Sequence, residues 1–254
     1  MTDKIETFRA LHVPGDPLVL FNIWDAGSAK AVAAAGARAI ATGSYGVACA
    51  RGSSDGENLS LDDALANLGE ILGVTELPVS IDMEAGYGAE AVAVGRSVAR
   101  AHAAGAAGIN MEDRMPGESL LLPIGQAAAR IEAAAATGLF VNARCDVFRG
   151  RDAAADGEAL VAATLERARA YAGAGASGLF VPFLGDSRCI AAICESSPLP
   201  VNILWSKSCG DRAALAALGV ARISHGHQPW AAAMAWLGGQ AAAVLGGAVP
   251  PYAI

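Results

Sequence analysis

One phrase recurs along this chain and limits what it can fold into. It reads AAGARAIATG at 34–43, AAGAAGINME at 103–112, GAGASGLFVP at 173–182 and ALGVARISHG at 217–226. Each copy is an alanine-rich helical end, a glycine where the helix stops, and a short apolar run. Glycine just past a helix end takes the left-handed conformation, and so short an apolar run suits only a strand buried on both faces. Extending the rule to the stretches between gives eight strands, at 18–23, 38–43, 78–84, 107–112, 139–145, 177–182, 200–205 and 220–225. Helices are predicted at 28–36, 61–73, 90–105, 124–136, 158–174, 187–195, 211–218 and 229–246. Eight such units in 254 residues describe an α/β chain folded as a (β/α)8 TIM-type barrel. An open doubly wound sheet would show a GxGxxG turn after its first strand, where this chain has WDAGSAK. No stretch reads as a linker, so 1–254 is expected to form one domain.

Composition excludes several partners. The net charge of −7 is spread over mixed acids and bases, which argues against a nucleic-acid surface. Five cysteines, at 49, 145, 189, 194 and 209, make no CxxC pair, as expected of a reduced, cytoplasmic protein. The start, MTDKIETFRALHVPGDP, lacks the apolar stretch of a signal peptide, and Arg, Lys and Gly interrupt the alanine-rich segments before they reach a membrane span.

The polar residues gather at strand ends. Asp82 and Glu84 close the third strand, Glu112 and Asp113 the fourth and Arg144 the fifth, and Asp55 lies in the loop after the second. In a barrel these positions meet at the C-terminal mouth, where the fold builds its sites. Asp82 and Glu84 are two apart on a strand and therefore point the same way. Clustered buried carboxylates repel, and a divalent cation relieves that repulsion. Hard oxygen donors without His or Cys select Mg2+, or Mn2+ in its place, over Zn2+. A salt bridge to Arg144 explains one such acid; three acids and an arginine call for a metal.

Other residues carry competing readings. His225 and His227 have a spacing that suits a transition metal or a plain loop pair contacting substrate. Tyr87 reads equally as a general acid/base or a packing residue at its turn. Cys145 alternates away from Arg144 and reads as a core thiol, while Cys49 and Cys209 fall in loops. Asn202, Lys207 and Ser208 are candidates for an anionic substrate group, against a solvated loop. Trp230 and Trp236 read as core or subunit interface.

These motifs together resemble the isocitrate lyase/phosphoenolpyruvate mutase superfamily over nearly the whole chain. The resemblance is carried by FNIWDAGSAKAVAAAGARAIATGS (21–44), SSDGENLSLDD (53–63), DMEAGYG (82–88), GINMEDR (108–114), NARCDVF (142–148) and LGVARIS (218–224). It is closest to a short branch without the large insertions of isocitrate lyase itself. The resemblance implies that Asp82 ligates Mg2+ directly, with Glu84, Glu112 and Asp55 holding it mainly through its waters. It implies that the amides of Ser44 and Tyr45, next to Gly43, grip the carboxylate of a pyruvate-like moiety, and that Arg144 polarises the other reacting group. The shared chemistry passes through the enolate of a metal-chelated α-oxo acid, so a lyase acting on a small α-oxo or 2-hydroxy di-acid is expected, with Arg144, Tyr45 and Tyr87 as catalytic candidates. Alternatives are P–C bond chemistry on phosphonopyruvate-like substrates, a hydrolase using the two histidines, and a non-catalytic binder of oxalate- or 2-oxoglutarate-like ligands. Family members are tetramers that exchange the eighth helix, which implies a homotetramer here.

The chain also departs from the family. Where its C–C lyases carry a K-[KR]-C-G-H motif, this chain has RMPGESLLLP (114–123), with neither Cys nor His. The Lys-Thr-Asn-Ser run of the mutase lid is absent too. Gly43 replaces a frequent serine, and Tyr45 a smaller residue.

Overall fold

All four glycines of the recurring phrase, Gly36, Gly105, Gly175 and Gly219, lie at positive φ between 86° and 105°. A side chain there would cost roughly 1–2 kcal/mol, so these helix ends depend on glycine. The computed structural model describes residues 2–252. Its strands are β1 (Leu18–Leu20), β2 (Ile40–Ala41), β3 (Val79–Asp82), β4 (Gly108–Glu112), β5 (Phe140–Arg144), β6 (Gly178–Val181), β7 (Val201–Leu204) and β8 (Arg222–Ser224). They pair in parallel in the order β1-β8-β7-β6-β5-β4-β3-β2. The β1–β2 seam closes through a bridge between Ile23 and Thr42, with Ile23 N donating to Ala41 O at 2.9 Å. The (β/α)8 TIM-type barrel expected from the sequence is the fold.

The helices are α1 (Thr2–Ala10), α2 (Ala26–Ala34), α3 (Ser44–Ala50), α4 (Leu61–Leu72), α5 (Ala91–Ala104), α6 (Ile124–Ala135), α7 (Ala153–Gly173), α8 (Ser187–Ser196), α9 (Arg212–Ala217) and α10 (Gln228–Leu245). Two of them, α1 and α3, lie outside the sequence expectation, and α7 starts earlier than 158 because Asp152 caps it, accepting from Ala154 N. Helix α1 plugs the bottom of the barrel. Its Phe8 is fully buried, edge-on to Phe140 at 5.3 Å, and His12 stacks on the same ring at 4.1 Å. A Cβ on Gly108 would stand 2.8 Å from Phe8 and 2.9 Å from the Phe140 carbonyl, so β4 needs glycine where the plug enters. Burial lowers the His12 pKa to about 3, which keeps its ring neutral.

Helix α10 is unlike the rest. Among its described residues only Pro229 is buried, while Trp236 and Leu237 face outward. An apolar groove of about 480 Å³ runs between α2 and α9, lined by Leu18, Val19, Phe21, Val32 and Ala35. That is where an eighth helix would complete the outer ring. Among the described residues no helix is long and apolar enough to cross a membrane.

Candidate active site at the barrel mouth

Strand β3 ends at Asp82, two residues before its sequence pattern suggests. Glu84 is brought beside Asp82 by a left-handed turn instead of strand alternation, with φ of 49° at Glu84, 100° at Gly86 and 50° at Tyr87. Non-glycine residues seldom hold that conformation, and here several bonds impose it. Glu84 Oε2 accepts from Gly56 N at 2.7 Å and Glu57 N at 2.6 Å, and Glu57 Oε1 accepts from Tyr87 N at 2.8 Å. From α6, the Arg130 guanidinium donates to the carbonyls of Ala85 and Ala89. The 53–60 loop is thereby braced against the turn, and the Asp55 charge acts on both Asp82 and Glu84. Asp82 accepts from Ser44 N at 3.1 Å, the first amide of α3, and from Glu84 N at 3.2 Å.

These acids are poor at staying charged. Burial pushes the Asp82 carboxyl above its usual range, against the pull of Arg144 and the Ser44 amide. Burial, with the charges of Asp82 and Asp55, raises Glu84 to about 8. Burial lifts Glu112 to about 7, although Arg144 pulls the other way. The Tyr87 phenol donates to Glu84 Oε1 at 3.4 Å, and burial beside these acids raises its pKa, so it stays a protonated donor.

The opposite side of the mouth is basic. Arg144 donates through Nε and Nη2 to the two oxygens of Asp146 at 2.6 and 2.9 Å, and its Nη1 forms an ion pair with Glu112 at 2.8 Å. The fork to Asp146 fixes the guanidinium plane. Asp146 is held in turn: its amide donates to Asp113, which also accepts from Tyr171 OH at 2.6 Å and Arg167 Nη1 at 3.1 Å on α7. Cys145 is fully buried behind this relay, as a core thiol.

Asp55, Asp82, Glu84, Glu112, Arg144, Ser44 and Tyr87 are thus gathered at one mouth; two predicted residues are not. The Tyr45 ring packs on His227 at 5.4 Å and Trp230 at 5.6 Å, leaving only its backbone near Asp82. Asn202 is buried inside the barrel, where it donates to Ser224 Oγ at 3.1 Å. It shares that interior with Asn110, Asn142 and a fully buried Arg222, whose pKa burial lowers to about 9 against the opposing charge of Asp82. The two histidines diverge: His225 stacks on Trp205 at 5.7 Å, and His227 meets Tyr45. Gly43 packs tightly: a Cβ there would come within 3.2 Å of the Gly226 carbonyl, so a serine would require that loop to give by a few tenths of an ångström.

Among the described residues no three His, Cys, Asp or Glu side chains form a ready-made metal cage. That suits Mg2+, which keeps most of its waters and binds through one or two carboxylates. The donors are hard oxygens, buried close together at one mouth with Asp55 acting on Asp82 and Glu84, so the residues fit a hydrated divalent cation held by Asp82.

A family model described as phosphoenolpyruvate phosphomutase matches residues 8–245. The chain belongs to the isocitrate lyase/phosphoenolpyruvate mutase superfamily. A crystal structure from Burkholderia cenocepacia J2315, provisionally named a phosphonomutase, shares 45% identity over 97% of this chain and 99% of that one, with a TM-score of 0.92. An uncharacterised protein of Mycobacterium tuberculosis is 39% identical over 90% of this chain and 84% of its own length. The 2-methylisocitrate lyase of Escherichia coli strain K12 is 30% identical over 77% of this chain and 68% of its own.

In this superfamily member the Glu84 shift makes stability depend on pH. A carboxyl raised from 4.5 to about 8 holds its proton more tightly in the folded state, so stability falls as pH rises through that window. Glu84→Gln keeps one oxygen to accept both the Gly56 and Glu57 amides, and removes the charge. Metal-free Glu84→Gln is expected to melt several degrees above the parent at about pH 8, a gain of roughly 2 kcal/mol, and to coincide with it near pH 4.5. Thermal melts in EDTA check this; equal pH slopes would show that Glu84 is not charged against its surroundings.

Proposed function

We propose that this protein is a Mg2+-dependent, lyase-type enzyme that breaks a bond to C3 of a small α-oxo or 2-hydroxy di-acid. The observation that carries the reading is the two-sided mouth: buried acids gathered around Asp82 on one side, and Arg144 locked by Glu112 and Asp146 on the other. When bound, Mg2+ supplies Lewis-acid polarisation of the substrate's α-oxo group. Asp82 would hold the cation, with Glu84, Glu112 and Asp55 placed to bind its waters. The Tyr45 amide, in the first turn of α3 where no helical partner exists, binds the substrate's carboxylate, joined by the Ser44 amide that Asp82 holds at 3.1 Å in the free protein. Arg144 presents fixed N–H donors to the oxygen that gains negative charge as the bond to C3 breaks. Because the guanidinium is positioned in advance, it need not reorganise during the reaction. Tyr87, hydrogen-bonded to Glu84, serves to pass a proton to C3 and regains one from the Glu84 carboxyl.

Decarboxylation is the simplest form of this chemistry. Carbon dioxide leaves without an acid on the leaving group, which suits a chain with no Cys or His at 114–123. Cleavage of the P–C bond of a phosphonopyruvate-like substrate is the second reading, supported by the relative provisionally named a phosphonomutase. Incubating metal-loaded protein with oxaloacetate, 2-methylisocitrate and phosphonopyruvate, and assaying pyruvate release, tests both. Release from a carboxylate substrate that EDTA abolishes is expected. Tight oxalate binding without turnover of any of the three would leave a binding protein instead of an enzyme.

A further inference from the structure

Three arginines share one carboxylate at the basic side of the mouth. Besides the two bonds from Arg144, Asp146 lies 3.4 Å from Arg114 Nη2 and 3.5 Å from Arg149 Nη1. Glu112 is the other acid in contact, and it is already bound to Arg144. Asp113 is occupied by Arg167 and Tyr171. Arg144 already spends its Nε and Nη2 on Asp146 and pairs with Glu112, whereas the guanidinium groups of Arg114 and Arg149 are barely used. Arg114 is largely buried and its Nε has no partner among the described residues. A buried guanidinium nitrogen with nothing to donate to is costly, and an anion relieves it.

Phe183 points to the same place. It holds φ of 65°, a strained value for a bulky residue, with half of its surface exposed. Its ring faces Arg149 at 5.4 Å and Arg144 at 5.9 Å. The ring lies outside the buried core and orients guanidinium groups by cation–π contact.

We propose that Arg114 and Arg149, oriented by Phe183 and Asp146, form the subsite for the substrate's second anionic group, a carboxylate or phosphonate, and so set a preference for doubly anionic over singly anionic acids. The inference rests on the proposed function, in which the α-oxo end is held across the mouth by the Ser44 and Tyr45 amides. Guanidinium suits the task because its planar donors match either anion in a paired geometry.

2-Hydroxy acids test it by calorimetry on Mg2+-loaded protein, with each acid checked for cleavage after the titration. Lactate carries no second anion, malate a second carboxylate, and 2-hydroxy-3-phosphonopropionate a phosphonate; oxalate reports on the metal end alone. The parent is expected to bind malate or the phosphonate about tenfold or more tighter than lactate, the size of one or two charge-assisted bonds, and the tighter of the two names the anion. Arg149→Gln, at an exposed side chain, should erase most of that preference while oxalate binding stays within about twofold. Arg149→Lys should restore part of it. Arg100→Gln removes the same charge from an exposed pair with Asp62 elsewhere and should change nothing. Loss of malate and oxalate affinity in parallel, or an unchanged preference in Arg149→Gln, overturns the subsite. Failure of the parent to bind oxalate with Mg2+ overturns the functional reading, and the subsite with it.

Discussion

Replacing Asp82 with Asn is expected to lower Mg2+-dependent turnover by more than about 100-fold, beyond what changes in the outer shell of a metal site cost. The side chain keeps its shape, and one oxygen still accepts from either Ser44 N or Glu84 N. Losing the other acceptor costs about 1 kcal/mol, offset by removing a buried charge from beside Glu84 and Asp55. The variant should therefore melt within a few degrees of the parent without metal, and gain little from adding Mg2+. Thermal melts with and without Mg2+, set beside steady-state kinetics, separate lost metal from lost fold. A variant that turns over normally would place the metal elsewhere, or nowhere.

Arg144→Lys carries the second large effect. The guanidinium holds two acids at once, by hydrogen bonds of 2.6 and 2.9 Å to Asp146 and an ion pair of 2.8 Å to Glu112. An ammonium is a point charge and cannot span both acids while presenting a donor to substrate. Charge is conserved, so a purely electrostatic role would tolerate the change. A positional role predicts kcat lower by about 10²–10³-fold, the cost of losing one oriented donor to a developing oxyanion. Most of that loss should fall on kcat and little on KM, because the interaction grows as the bond breaks. Activity within about threefold of the parent would show that charge alone suffices.

The barrel was legible because its punctuation is physical. Gly36, Gly105, Gly175 and Gly219 each stop a helix at positive φ, and a short buried run follows. The acids and Arg144 were legible because carboxylates at the ends of apolar strands need a partner. The reason Glu84 sits beside Asp82 was not, since strand alternation gives the same proximity as the left-handed turn that provides it. Asp146 lies two residues past Arg144, a spacing that places both over the mouth and would have flagged it within NARCDVF. Helix α1 is short, but Ile5 and Phe8 recur at helical spacing, and both are buried. Asn202 misled because a polar residue near a strand end looks like a mouth residue, whereas this barrel lines its interior with Asn110, Asn142, Asn202 and Arg222. Arg130 and Arg167 act from helices far along the chain, and nothing local in sequence marks the carbonyls and carboxylate they reach.

Calorimetric titration of metal-stripped protein with Mg2+ in the presence of oxalate tests the central claim most directly. One cation per chain, bound in the parent and lost in Asp82→Asn, is the predicted result. No saturable binding in the parent, or equal binding in both proteins, would contradict it.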